Sequence, residues 1–151
     1  MGAIMEFATE KQIASFLSTC RIEGQKNFLM AFKKKTWLKS FIDFFVIGGS
    51  YYVQSSVKPK ILAFTPKGIY LMDISDITEN RFNQVLEMAW NQVQDFTYKS
   101  VLNTVRLSWK YQNEAYIFSV DVGQISQRVG QYQFNKEHYD YLAQQDFFHS
   151  K

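Results

Sequence analysis

Four ammonium groups fall within seven residues, Lys33-Lys34-Lys35-Thr36-Trp37-Leu38-Lys39, interleaved with one indole. Lys58, Lys60 and Lys67 follow downstream, at the ends of apolar runs. Lysine is a compact point charge, whereas arginine grips a phosphate through two parallel N–H donors. No arginine lies between Arg21 and Arg81, so the bidentate grip is missing. What remains is a diffuse pull toward anionic lipid or phosphate, about 1 kcal/mol per lysine near a charged surface. The candidate anion- or lipid-binding set is Lys33, Lys34, Lys35 and Lys39; the competing reading is a solvated turn that keeps the chain soluble.

The remaining chemistry-bearing residues are scattered. His138 and His149 stand eleven positions apart without an adjoining cysteine, which does not suit a metal site on one helix face. His138 is read as a partly exposed helix residue and His149 as solvated. Cys20, the one cysteine, excludes an internal disulfide. It shares a helical stripe with Ile13, Phe16 and Leu17 and is read as a small buried hydrophobe. Asp73, Asp76, Glu79, Asp95, Asp121, Asp140 and Asp146 are read as solvated surface acids, because paired acid–base work needs two carboxylates held across a cleft. No phosphate loop, dinucleotide fingerprint or nucleophile elbow is present. Gly48-Gly49-Ser50 reads as a turn or bulge. The expectation is a protein that is not an enzyme, with no catalytic, metal or cofactor-binding residues and no cofactor.

These groups sit on a chain of 151 residues, one domain's worth, with 46% hydrophobic and 21% charged residues. That composition argues against disorder. Rings make up 17%, and aromatics favour strands and buried sheet faces. Base stacking is a second use for such rings, but Trp109, Tyr111, Tyr116 and Phe118 fall on faces shared with aliphatics, so core packing is preferred. Residues 1–75 hold ten Lys/Arg against five Asp/Glu, and residues 76–151 hold seven against nine. A net charge of +3 is too small for the long-range attraction of non-specific nucleic-acid binding. No basic leader with an apolar segment opens the sequence. The longest apolar run, 41–53, is interrupted by Asp43 and falls short of the roughly 20 residues a spanning helix needs. A soluble, cytoplasmic protein is expected.

The elements that must position these groups follow from periodicity. Thr9 and Gln12 form a capping-box pattern before Ile13, Phe16, Leu17 and Cys20, which predicts a helix over about 9–20. In 27–53, Trp37, Phe41 and Phe44 would suit a helix, while Phe44, Val46, Tyr51 and Val53 would suit strands broken at Gly48-Gly49; two strands are preferred. Ile61-Leu62-Ala63-Phe64 and Ile69–Ile74 flank Thr65-Pro66-Lys67-Gly68, a type I turn signal, and read as a hairpin. Residues 75–83 read as a loop. Val93, Phe96 and Tyr98 belong to a further strand. Val105, Leu107, Trp109 and Tyr111, then Tyr116, Phe118, Val120 and Val122, alternate with polar residues about a short turn at 112–114, the pattern of an antiparallel hairpin with one buried face. Asn135 is placed as the cap of a final helix, about 135–148, with Phe134 and Tyr139 as a staple and Tyr139, Leu142, Ala143 and Phe147 on one face. The barrel portion spans about 27–122. No repeat or linker divides the chain, so 1–151 is read as a single domain.

Consecutive antiparallel strands closed by a C-terminal amphipathic helix resemble the pleckstrin-homology fold, more narrowly the bacterial pleckstrin-homology-like domains. The segments that carry the likeness are Ile61-Leu62-Ala63-Phe64-Thr65-Pro66-Lys67-Gly68-Ile69-Tyr70-Leu71, Ala89-Trp90-Asn91-Gln92-Val93-Gln94-Asp95-Phe96, the hairpin 104–122 and the helix after Asn135. The resemblance covers about 57–148 well and 21–56 loosely; the N-terminal helix has no required counterpart. It implies an α+β, mainly β architecture: a partly open antiparallel barrel of about seven strands, capped by a C-terminal helix. It further implies a non-catalytic interaction module that binds protein or forms homo-oligomers through sheet edges and loops. In eukaryotic relatives the first hairpin holds inositol phosphates at Lys-x(n)-Lys/Arg-x-Arg spacing, from which this chain departs. The alternatives are a peripheral binder using Lys33–Lys39 and a carrier of small molecules in an aromatic-lined barrel mouth.

Overall fold

The computed structural model describes residues 8–34, 59–123 and 133–149. Helix α1 (Glu10–Thr19) is followed by strands β1 (Phe28–Lys34), β2 (Pro59–Thr65) and β3 (Gly68–Asp73). Then come a short helix α2 (Ile74–Thr78), β4 (Leu86–Ala89), β5 (Val93–Val101), β6 (Thr104–Tyr111), β7 (Glu114–Asp121) and helix α3 (Gln133–Gln144). The strands form one open, antiparallel seven-stranded sheet in the order β4-β3-β2-β1-β7-β6-β5. The architecture is mainly β with a helix at each end of the order, as the sequence predicts. Of the two strands expected in 27–53, β1 is the first; the rest of that stretch lies outside the described residues, with Gly48-Gly49-Ser50.

The sheet has two cores because half of it is covered on both faces. Leu29, Ala31, Leu62, Phe64 and Ile69 face inward and meet Val105, Leu107, Trp109, Phe118, Val120, Leu142 and Phe147. Phe28, Met30, Ile61, Ala63, Tyr70 and Met72 point the other way and meet Ile13, Phe16 and Leu17 of α1, Ile74 and Ile77 of α2, and Phe134. This is why 28–31 and 61–64 read as unbroken apolar runs: neither face sees water. β6 and β7 instead alternate buried and accessible residues, as expected of a sheet covered on one side only.

Turn chemistry fixes the registers. The capping box of α1 is formed in both directions: Gln12 N–H donates to Thr9 Oγ1 at 3.1 Å, and Thr9 N–H donates to Gln12 Oε1 at 2.9 Å. Pro66 and Lys67 make a two-residue turn that pairs Thr65 with Gly68. Gly68 has a second reason to be glycine, since a Cβ there would stand 2.1 Å from the Met88 carbonyl oxygen of β4. Between β6 and β7 both turn residues, Gln112 and Asn113, are left-handed, with φ of 53° and 65°; such a turn matches the twist of its strands. In β5 a bulge lies between Gln94 and Thr97, with Asp95 at φ 57°.

Four expectations are corrected. The supposed loop 75–83 holds most of α2 and runs into a one-turn 3-10 segment, Phe82–Gln84, and Ile74 caps the α1 side of the core rather than ending β3. Trp90–Gln92 makes a one-turn corner between β4 and β5, directly ahead of the strand entry at Val93. Helix α3 already holds Gln133 and Phe134, so Asn135 lies inside it rather than capping it, and Phe134 packs on Phe28 in the outer core while Tyr139 packs against the inner one. The helix ends at Gln144; Asp146, Phe147 and Phe148 then form a left-handed turn at φ 51°, 54° and 62°. Each L-residue there costs about 1–2 kcal/mol against a right-handed turn. The buried Phe147 ring offsets that cost in part.

Candidate functional site

Lys33 and Lys34 end β1 where it pairs with β7, beside the start of β2, where Pro59 pairs with Phe32. Lys33 is not a free cation: its Nζ lies 3.7 Å from Glu114 Oε2 and 5.0 Å above the Tyr116 ring. Both contacts come from the start of β7, so the β6–β7 hairpin neutralises the first lysine of the cluster. Lys60 pairs with Asp73 across the β2–β3 ladder. Lys67 stands in the β2–β3 turn, at the other end of those strands, and does not join the group. Lys35, Lys39 and Lys58 lie outside the described residues. The structure therefore brings Lys33, Lys34 and Lys60 to one end of the sheet, where Lys33 and Lys60 each carry an acidic partner.

Two residues behave otherwise than expected, and both are structural. His138 is fully buried. Its Nδ1 donates to the Phe28 carbonyl at 2.8 Å, and its Nε2 lies 3.2 Å from Glu10 Oε2. The imidazole thus ties α3 to β1 and to the first residue of α1. Asp76 is also buried, at 6% exposure; its Oδ1 accepts from Arg81 Nε at 3.0 Å and its Oδ2 from the Asp73 N–H at 3.2 Å. Arg81 also reaches Glu79 and Ser75, and these acids raise its pKa, the Asp76 hydrogen bond most of all. A shallow depression of about 490 Å³ beside this network is lined by Lys60, Asp73, Asp76 and Arg81. Its charges are already matched to one another, which leaves little for an ionic ligand.

Cys20 is half-buried at the end of α1, and burial pushes its thiol up from the ordinary cysteine value, away from a reactive thiolate. His149 is exposed, yet its ring lies 4.7 Å from Trp90 and 5.4 Å from Phe96. Among the described residues no group of three or more His, Cys, Asp or Glu could hold a metal ion. No helix among them is long and apolar enough to cross a membrane.

Among the described residues, aromatic rings fill the inner face of the sheet. Phe64, Phe96, Tyr98 and Tyr139 surround the Phe147 ring at centroid distances of 4.9, 5.6, 4.5 and 6.1 Å. Trp109, Tyr111, Tyr116 and Phe118 are buried in the same core, so none of them offers a face for stacking a base.

Among the described residues the sheet leaves two edges, β4 and β5, each with one ladder neighbour. β5 is the longer, at nine residues, and Thr97–Val101 pairs regularly with Ser108–Thr104 beyond its bulge. Thr97, Lys99, Ser100 and Val101 are exposed. Sequence periodicity placed β5 but gave no sign that it is an edge, because strand order is set by long-range pairing. Comparison of the chain with protein-family models, with curated proteins and with solved structures returns no match.

Proposed function

We propose that this chain is a non-catalytic interaction module of bacterial pleckstrin-homology-like type, cytoplasmic, which binds protein or self-assembles by adding a strand to the edge of β5. The observation that carries this reading is the regular run Thr97–Val101, exposed at Thr97, Lys99, Ser100 and Val101, with a ladder partner on one side only among the described residues. An unpaired edge presents a row of N–H and C=O groups that a second strand satisfies. The order of elements, antiparallel strands followed by an amphipathic helix, supports the family assignment. The bulge at Asp95 and the charge of Lys99 restrict pairing to strands in one register, since both features discourage indiscriminate edge contacts.

Light scattering across a concentration series tests it. The protein is expected to form a dimer or larger species that Ser100→Pro returns to monomer, with circular dichroism unchanged; proline is accepted at a sheet edge but blocks pairing there. A protein that stays monomeric at the highest concentration and retains no partner through β5 would refute the proposal.

A second reading, weak attraction to anionic lipid, is favoured by the gathering of Lys33, Lys34 and Lys60 at one end of the sheet. Pelleting with phosphatidylserine vesicles should then fade with salt and with serine at Lys33, Lys34, Lys35 and Lys39. The acidic partners of Lys33 and Lys60 place this reading second.

A further inference from the structure

The segment 145–149 joins parts of the sheet that do not pair with each other. Phe147 packs on Phe64 of β2 and on Phe96 and Tyr98 of β5, while His149 packs on Trp90 at the β4–β5 corner. It thus bridges β2, β5 and the corner that precedes β5. Its backbone hydrogen bonds run locally: Gln145 N–H to the Tyr141 and Leu142 carbonyls, Phe148 N–H to Gln145, and His149 N–H to Asp146. Among the described residues, the Tyr98 hydroxyl donates to Asp146 Oδ1 at 2.9 Å and holds the turn to β5. Asp146, Phe147 and Phe148 are all left-handed, a conformation that non-glycine residues hold only when their surroundings enforce it. The segment therefore combines three properties: a fully buried ring, a carboxylate on a tyrosine, and a strained backbone that can leave without breaking a ladder bond.

We propose that Phe64, Phe96, Tyr98 and Tyr139 form a recognition pocket for a peptide bearing an acidic residue followed by an aromatic one, and that Asp146-Phe147 of the chain itself occupies the pocket as a self-ligand. The chemistry of the occupant defines that of the partner: a phenyl ring enters the aromatic cage edge-on or tilted, and a carboxylate beside it accepts from the Tyr98 hydroxyl. A partner peptide reaches the cage by displacing a turn whose strain lowers the cost of release. This site uses side chains on the inner face of the sheet, Phe96 and Tyr98 of β5 among them, whereas strand addition uses the β5 backbone.

The test uses the full chain and the peptide acetyl-Gln-Asp-Phe-Phe-His-amide, with acetyl-Gln-Asn-Ala-Phe-His-amide as control, followed by calorimetry and amide NMR. Phe147→Ala is expected to bind the first peptide one to one, at least tenfold tighter than the unsubstituted chain, and not to bind the control. Adding Tyr98→Phe to that variant should weaken binding by threefold or more. A folded Phe147→Ala variant that ignores the peptide, or one that binds no tighter than the unsubstituted chain, overturns the proposal. If Phe147→Ala does not fold, Asp146→Ala frees the anchor and keeps Tyr98 for the ligand. Faster hydrogen exchange over 145–149 with tighter peptide binding then supports the proposal, and unchanged binding overturns it. The β5-edge variant Ser100→Pro should bind the peptide normally, which separates a failure here from a failure of strand addition.

Discussion

Asn135 holds both backbone polar groups of Met30: the Met30 N–H donates to Asn135 Oδ1 at 2.9 Å, and Asn135 Nδ2 donates to the Met30 carbonyl at 3.0 Å. The same Nδ2 reaches the Asp121 carbonyl of β7 at 3.1 Å. Among the described residues β1 pairs with β7 from Phe32 to Lys34, so at Met30 the two strands have parted. The carboxamide stands in for the missing ladder and seats α3 in the gap.

Asn135→Ala should therefore cost about 2–4 kcal/mol, because a buried N–H and a buried C=O lose their partner together. Urea unfolding measures it. A loss under 0.5 kcal/mol would mean that water replaces the amide without penalty. Asn135→Asp should be no better, since a carboxylate would face two carbonyl oxygens.

His138 makes a second bond to β1. The Phe28 carbonyl can only accept, so Nδ1 carries a proton, and Nε2 can donate to Glu10 only when the ring is an imidazolium. Imidazole nitrogen NMR should show an Nδ1–H tautomer or the imidazolium; a neutral ring protonated on Nε2 alone would contradict the geometry. His138→Phe keeps the ring between Phe28 and Phe134 but abandons the carbonyl, and should cost about 1–3 kcal/mol.

Much of this fold is legible along the chain, and the limits are instructive. Val105 to Tyr111 and Tyr116 to Val120 show a period of two because one face is wet, and the structure places them as that pattern requires. Asn135 and His138 give no such signal. A polar residue on an amphipathic helix reads as exposed, and its partners Met30 and Phe28 lie 105 and 110 positions away. Residues 75–83 were illegible for a related reason: Asp76 and Arg81 look like loop polarity until their ion pair is seen at the mouth of α2. The lysine segment shows the converse. Its spacing was plain, but Glu114, which answers Lys33, comes from a different hairpin. Left-handed turns built from Asp and Phe carry no sequence signature at all, so 146–148 read as more helix.

Alkaline stability follows from the tyrosines. Burial, joined by Asp146 for Tyr98 and Glu87 for Tyr70, raises both phenols above the ordinary value; burial likewise raises Tyr116 and Tyr139. A raised phenol favours the neutral form in the folded state. The stability it contributes is complete below the unfolded value, about 10, and is lost as pH rises through the folded value. Absorbance at 295 nm should show these rings ionising later than free tyrosine, with unfolding accompanying their titration. Normal ionisation near pH 10 in a folded protein would count against the packing.

Leu102 closes the β5–β6 turn at φ 56° with 94% of its surface exposed. Nothing covers the side chain, so it gains no burial to offset the left-handed backbone, which costs a branched residue about 1–2 kcal/mol. The turn is otherwise well held: Val101 pairs with Thr104, and the Asn103 carbonyl accepts from the Val122 N–H at 2.9 Å. Asparagine tolerates this region by bonding its own backbone, and glycine enters it freely. Leu102→Asn and Leu102→Gly should each stabilise the protein, by about 0.5–1 kcal/mol, with asparagine the better because glycine loses more entropy on folding. Thermal unfolding ranks the three chains. Destabilisation by both substitutions would mean that the exposed leucine has a partner in solution.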